Sequence, residues 1–229
     1  MRTTTFATVF ACLIVSTTAF AQTFLVQQGS PLYDAKIDIA CEKHHCQGPA
    51  EITLYRKNTQ TPVQTFTVPD MTIFLNEQAQ PSVNVVQLYD EQSALIFNDF
   101  NFDGQPDLAI YASNDGPYGG PVYQVYVFNK TRQRFVLSRE LSELTQMNLG
   151  MFQTDATRKR LHTMSKSGCC WHQSSTYSVV PGKGLRLVSE HTEDATGGGE
   201  KVTVTQREWV NGRWHKSVRQ YPLKSYYPD

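Results

Sequence analysis

The chain has 229 residues, 40% of them hydrophobic, and its 21 Lys and Arg balance 21 Asp and Glu. A chain of this length can bury roughly 70% of its unfolded surface, so it needs no staple to fold, and one domain is the natural expectation. A neutral chain with no linear run of basic residues argues against nucleic acid or an anionic membrane surface as the main partner.

Arg2 supplies a charged start, Phe6 to Ala19 is uncharged and largely apolar, and Ala19-Phe20-Ala21 has the small-x-small form of a cleavage site. This layout predicts a secretory signal peptide over 1–21, followed by a single domain over 22–229 in which the strands of 22–80 form a possible subdomain. The apolar run is too short to span a bilayer. Cys12 lies inside it and is read as part of the signal, with a lipoprotein anchor as the alternative. Removing the signal takes away Arg2 and leaves twenty basic against twenty-one acidic residues. Export predicts a periplasmic location.

Four cysteines remain, Cys41, Cys46, Cys169 and Cys170. An even number in an oxidising compartment predicts two disulfides. Three pairings are open. Either Cys41–Cys46 closes a hairpin and Cys169–Cys170 pair as neighbours, or two long bridges join the two regions. His44 and His45 beside Cys46, and His172 beside Cys170, keep a tetrahedral zinc site as a competing reading.

Most of the chain reads as short strands. Ile37 to Ala40, Ile52 to Tyr55, Val63 to Val68, Met71 to Leu75 and Val83 to Tyr89 are rich in β-formers or alternate with period two. Further runs follow at Val122 to Asn129, Arg134 to Ser138, Tyr177 to Val180, Leu185 to Ser189, Val202 to Val210 and Arg213 to Gln220. Asn211-Gly212 between the last two is a strong two-residue hairpin signal. Arg139 to Met147 is the one short helix, and Glu140 and Glu143 are read as its solvated face. The fold class predicted is all-β, an antiparallel meander of short strands, sandwich or propeller-like.

Two stretches carry the functional reading. Asp99-Phe100-Asn101-Phe102-Asp103-Gly104-Gln105-Pro106-Asp107 has the pattern D-x-N-x-D-G-x-x-D. Three carboxylates this close repel one another unless a cation neutralises them. Calcium takes six to eight oxygens, and Asp99, Asn101, Asp103, the Gln105 carbonyl and Asp107 stand at the spacing that supplies them. Position twelve is Ile110 where an EF-hand has Glu. The flanks, Ala94 to Phe97 and Leu108 to Tyr111, read as buried strands, so the expectation is a strand–loop–strand Ca2+ site. The loop resembles the calcium loop of FG-GAP repeats, in a single copy.

Downstream, Ser113-Asn114-Asp115-Gly116-Pro117-Tyr118-Gly119-Gly120-Pro121 is a turn shaped by Gly and Pro with one Tyr at its tip. Ser113, Asn114 and Tyr118, together with the amides of Gly116, Gly119 and Gly120, form the predicted partner-binding set. No G-x-S-x-G or H-E-x-x-H motif is present, which makes a binding module the expected class and not an enzyme.

The calcium loop, the G-P-Y-G-G-P turn, the Y-x-V-Y-V-F-N strand and the R-F-V-L-S strand together resemble exported, calcium-binding periplasmic immunity proteins of interbacterial killing systems. These are similar to periplasmic lysozyme inhibitors in their β-rich fold. The resemblance covers about Ala94 to Leu144, and Gly182 to Ser189 weakly. It implies inhibition of a peptidoglycan-cleaving glycosidase, either a lysozyme-like toxin or a host lysozyme. Such enzymes hold two carboxylates in a long cleft, which a stiff loop bearing a ring and hydrogen-bond donors would plug. The alternative is a calcium-stabilised envelope scaffold or carbohydrate-binding module. Neither reading involves nucleic acid or a membrane span, and a lipid anchor at Cys12 stays the alternative to a cleaved signal.

Overall fold

The computed structural model describes residues 21–88 and 92–227. The signal-peptide reading lies outside these residues except for Ala21, as does Cys12. Among the described residues fourteen strands form three antiparallel sheets.

The first sheet is a meander of β1 (Ala21–Val26), β2 (Tyr33–Glu42), β3 (His45–Arg56) and β4 (Pro62–Phe74). Its alternation is plain in β2, where Tyr33, Ala35, Ile37 and Ile39 are buried and their neighbours are half-exposed. Period-two side chains place one set on the core and the other toward water. β4 joins the two runs expected at Val63 and Met71 into one long strand. It passes Pro69 and Asp70 where the β3–β4 register shifts between Gly48 and Ala50.

The second sheet is β5 (Leu95–Asn98), β6 (Asp107–Ser113), β7 (Val122–Asn129) and β8 (Arg134–Leu137). β6 is buried from Asp107 through Ala112, without alternation. A strand covered on both faces reads as a continuous apolar run. β4 of the first sheet packs on β6, and α1 (Arg139–Met147) packs on β7. Ser138 caps α1, its hydroxyl accepting from Leu141 N–H at 3.5 Å. Beyond the end of β8, the hydroxyls of Ser142 and Thr145 accept from Val125 N–H and Tyr123 N–H, each at 2.9 Å. The helix thus satisfies the part of β7 that no strand pairs.

The third sheet is a meander of β9 (Gln153–Asp155), β10 (Arg160–Ser167), β11 (Trp171–Val180), β12 (Gly184–Asp194), β13 (Lys201–Val210) and β14 (Arg213–Pro222), each beside its neighbour in sequence. One core cluster joins the first two sheets and α1. The third sheet adds Leu161 to it and lays Tyr177, Val179 and Leu185 against its margin.

The run from Val83 to Tyr89 is not a strand. Val83 makes a single parallel bridge to Leu95, and Tyr89 lies outside the described residues. Asn84 is the physical reason. Its backbone is left-handed, at φ 61°, which breaks an extended run. Its side chain then works as a connector, donating to the Gly29 carbonyl (2.7 Å) and accepting from Phe97 N–H (2.7 Å).

Candidate functional site

The acidic loop joins β5 to β6 as a hairpin connection, with Asn98 opposite Asp107. Its carboxylates are turned onto the loop's own backbone. The Asp99 side chain accepts from Asp103 N–H (2.9 Å) and Gly104 N–H (2.7 Å). Asn101 Oδ1 accepts from Asp103 N–H (3.0 Å), and Asp103 Oδ1 from Gln105 N–H (2.9 Å). Gly104 sits at φ 83° and Phe102 at φ 59°, so the turn is made by two left-handed residues, one of which bears a bulky ring. Lys130 leans in from the end of β7, donating to the Asp103 carbonyl at 2.8 Å and lying 3.8 Å from its carboxylate.

Asp107 is fully buried. One of its oxygens accepts from Phe100 N–H (2.9 Å) and Asn101 N–H (3.3 Å), and the other from Phe128 N–H on β7 (2.8 Å). Burial pushes its carboxyl up to about 7, against the pull of those three N–H groups and with a smaller push from the Asp99 charge. Asp107 therefore ties the loop to the strand beyond it.

The donor set of Asp99, Asn101, Asp103, the Gln105 carbonyl and Asp107 is all oxygen, which fits a hard cation. Among the described residues, however, no three Asp, Glu, His or Cys side chains converge as a metal site. A carboxylate oxygen has two lone pairs. Those not directed at backbone amides are what the set offers to an ion.

The second loop departs from its expected form in an instructive way. Pro117–Gly119 is a 3-10 turn between β6 and β7. Gly116 N–H donates to the Gly120 carbonyl (3.1 Å), Gly119 N–H to the Gly116 carbonyl (3.0 Å) and Gly120 N–H to the Pro117 carbonyl (3.1 Å). The three amides expected to face a partner instead close the loop on itself. Asn114 is likewise engaged, accepting from the Tyr111 hydroxyl and donating to Thr72 Oγ1 on β4 (2.9 Å). It fastens the loop base to the first sheet and does not present donors outward. Ser113 pairs with Val122 in the ladder, and its hydroxyl accepts from Asp115 N–H at 3.3 Å.

Tyr118 stays outward, 62% exposed, with φ at 60°. Gly168 N–H, in the β10–β11 turn, donates to its hydroxyl at 2.6 Å. The Lys166 ammonium lies 4.7 Å from the ring centroid, within cation–π range. The tip is thus held by a second hairpin fifty residues on, which no local pattern signals. Beneath the ring a cleft of about 180 Å3 is lined by Gln92, Pro117, Gly120, Pro121, Leu149 and Lys166. It shares Gln92 and Leu149 with a neighbouring pocket of about 270 Å3 that reaches His162, Met164 and Ser174.

The same hairpin carries the Cys169–Cys170 disulfide, and Cys41–Cys46 closes the β2–β3 hairpin. The adjacent pairing is therefore the one formed. All four thiols are consumed, which removes Cys46 and Cys170 as zinc ligands.

No family model matches the chain, and no curated protein matches it. Among solved structures it is similar to one described as "Structure of a Xanthomonas Type IV Secretion System related protein", with a TM-score of 0.63. The match covers 85% of this chain and 92% of that chain at 18% identity. At that identity the likeness speaks to the fold, a mostly antiparallel β architecture. Among the described residues no helix is long and apolar enough to cross a membrane.

Proposed function

We propose that the protein is an exported, calcium-binding periplasmic inhibitor of a peptidoglycan-cleaving glycosidase, with Tyr118 as the group that enters the target's cleft. The observation that carries this reading is the state of Tyr118. Its ring is exposed on a loop closed by three backbone hydrogen bonds and braced by Gly168. An aromatic on an ordered loop loses little entropy on docking and is the usual centre of an interface. Lys166 beside the ring carries the charge opposite to that of the two carboxylates such a cleft contains. A bacterial secretion-system setting, named in the description of the fold neighbour, is compatible with an immunity role.

In this reading the contact set is smaller than Ser113, Asn114, Tyr118 and the three glycine amides together. With Asn114 and the glycine amides engaged within the protein, the ring is the group left to meet a target, with Lys166 beside it and Ser113 at the base of the loop. In this reading calcium would be held by Asp99, Asn101, Asp103 and the Gln105 carbonyl, with Asp107 completing the set from the core side. Bound there, it supplies positive charge that offsets the repulsion of the carboxylates. Asp99 and Asp107 meanwhile hold the loop through backbone amides, and β6 carries that rigidity to the Tyr118 turn.

The test is inhibition of a panel of lysozyme-like hydrolases by the parent, Tyr118→Ala and Tyr118→Phe. Truncating a central aromatic commonly costs about 2 kcal/mol or more, roughly thirtyfold in affinity. Tyr118→Phe keeps the ring and gives up one hydrogen bond, about 0.5–1.5 kcal/mol. Undiminished inhibition by Tyr118→Ala would move the inhibitory surface elsewhere. Binding to purified peptidoglycan without inhibition of any hydrolase would favour the carbohydrate-binding alternative.

A further inference from the structure

The β13–β14 hairpin lies outside the core. The two strands pair along their whole length, from Lys201↔Pro222 to Val210↔Arg213. β12 supports β13 only between Ser189↔Glu208 and Asp194↔Thr203, so the turn end, Trp209 to Trp214, projects past the last supported pair. Apart from Val202, no residue of the two strands is buried. An antiparallel sheet ordinarily covers one face; here both faces meet solvent.

Charge is concentrated on this arm. Its basic residues are Lys201, Arg207, Arg213, Lys216 and Arg219, and only Glu208 opposes them. Since the whole chain balances at 21 against 21, the remainder holds sixteen basic and twenty acidic residues. The sequence hides this because no linear run exists; strand pairing gathers the cations onto one narrow arm, Arg207 and Lys216 on one face and Arg213 and Arg219 on the other. Arg207 stands directly opposite Lys216, and like charges opposite one another destabilise a ladder. Glu190 pairs with Arg207 at 2.5 Å. Among the described residues Arg213, Lys216 and Arg219 form no salt bridge, and all three are exposed.

The same arm displays apolar groups. Trp209 and Trp214 pair edge-to-face with centroids 5.6 Å apart, on the face that carries Arg207 and Lys216. Val218, on that face too, is 54% exposed, and Val210 at the turn is 42% exposed. Indole rings favour the bilayer headgroup level, and each Lys or Arg near an anionic leaflet adds about 1 kcal/mol.

We propose that the β13–β14 hairpin is a docking surface for an anionic phospholipid bilayer. The projecting turn enters the headgroup layer end-on with Trp209, Val210 and Trp214, while Lys216 on one face of the arm and Arg213 and Arg219 on the other meet the surrounding lipid phosphates. An acidic soluble partner would use the cations alone. A bilayer uses the cations together with exposed Val210 and the half-exposed Trp209 and Trp214, and only a projecting turn reaches a flat surface without the body of the protein intervening. The inference is independent of the glycosidase reading.

The experiment is co-sedimentation of the mature protein with vesicles of phosphatidylglycerol in phosphatidylcholine, and with phosphatidylcholine alone. Tryptophan quenching by brominated lipid is read in parallel. Binding should require phosphatidylglycerol, weaken as salt rises, and be accompanied by quenching. The triple substitution Arg213→Gln, Lys216→Gln, Arg219→Gln should melt like the parent, since all three side chains are exposed, and should partition roughly a hundredfold less well at about 1 kcal/mol per cation. Absence of binding at low salt overturns the proposal, as does a triple variant that melts and binds like the parent. If that variant melts lower, Trp214→Phe with Val218→Ser, judged by the same quenching, decides. Binding without quenching, matched by binding to polyglutamate, would identify an acidic polymer as the partner and overturn the bilayer.

Discussion

Replacing Asp107 by Asn tests whether this carboxylate holds the acidic loop or merely tolerates burial. Its two oxygens accept three backbone N–H groups, Phe100 and Asn101 on one and Phe128 on the other. An amide has one oxygen. Whichever way the substituted amide flips, at least one buried N–H faces an NH2 group. A buried donor left unsatisfied costs about 1–3 kcal/mol, and the remaining bonds fall from charge-assisted to neutral strength, so the total is about 2–4 kcal/mol. For a chain of this size that is a fall in melting temperature of roughly 4–16 °C. Burial of the charge works the other way, since it raises the carboxyl to about 7 and neutralisation would relieve it. The assay is thermal and urea unfolding in excess chelator, so that any bound ion is out of the comparison. Asp107→Asn melting at or above the parent would show that desolvation outweighs the three hydrogen bonds, and the account of Asp107 as the tie between loop and β7 would fail.

The Tyr118 loop gives a steric pair. A Cβ on Gly116 would lie 2.8 Å from the Gly120 carbonyl oxygen, whereas one on Gly119 meets nothing within 4 Å and bears only the strain of φ 69°, about 1–2 kcal/mol. Gly116→Ala should therefore weaken hydrolase inhibition nearly as much as Tyr118→Ala, and Gly119→Ala should weaken it far less; equal inhibition constants for the two glycine variants would count against a closed loop. Calcium titration by calorimetry should show one site of modest affinity, on the order of 10⁻⁴ M, abolished in Asp103→Ala; a melting curve indifferent to calcium and chelator would refute it. At the C-terminus, burial works to raise the Glu193 carboxyl, but the hydroxyls of Tyr227 and Tyr226 and the His191 ring outweigh it and hold it below 4.5. The folded value is the lower one, so its stabilising contribution is present above about pH 4.5 and is lost as pH falls through the folded value. Amide exchange over Leu223–Tyr226 should quicken in that acid window, and Glu193→Gln should remove the dependence.

Local chemistry alone determined a good part of this protein. Arg139 to Met147 reads as the short helix that forms α1, and the Asn211-Gly212 pair, at φ 51° and 80°, turns β13 into β14. The apolar runs around the acidic loop predict β5 and β6, because a buried strand needs little beyond its own side chains to be recognised. The Cys41–Cys46 bridge was among the open pairings because its two residues flank one turn. Where a strand buries little, the pattern disappears. β10, Arg-Leu-His-Thr-Met-Ser-Lys-Ser, belongs to a sheet that adds little to the core, so its composition carries no β signature even though its backbone pairs on both sides.

What the two candidate loops do with their polar atoms depends on contacts distant in the chain. Sequence placed Asn114 and the Gly116, Gly119 and Gly120 amides on a turn, but whether a donor faces a partner or its own chain depends on which acceptors come within hydrogen-bond reach. Tyr118 owes its position to Gly168 and Lys166, and Asp107 accepts a hydrogen bond from Phe128 N–H on β7. The basic arm was invisible for the same reason. Arg207 and Lys216 are nine positions apart along the chain and adjacent across a ladder, and electrostatic interaction depends on separation in space.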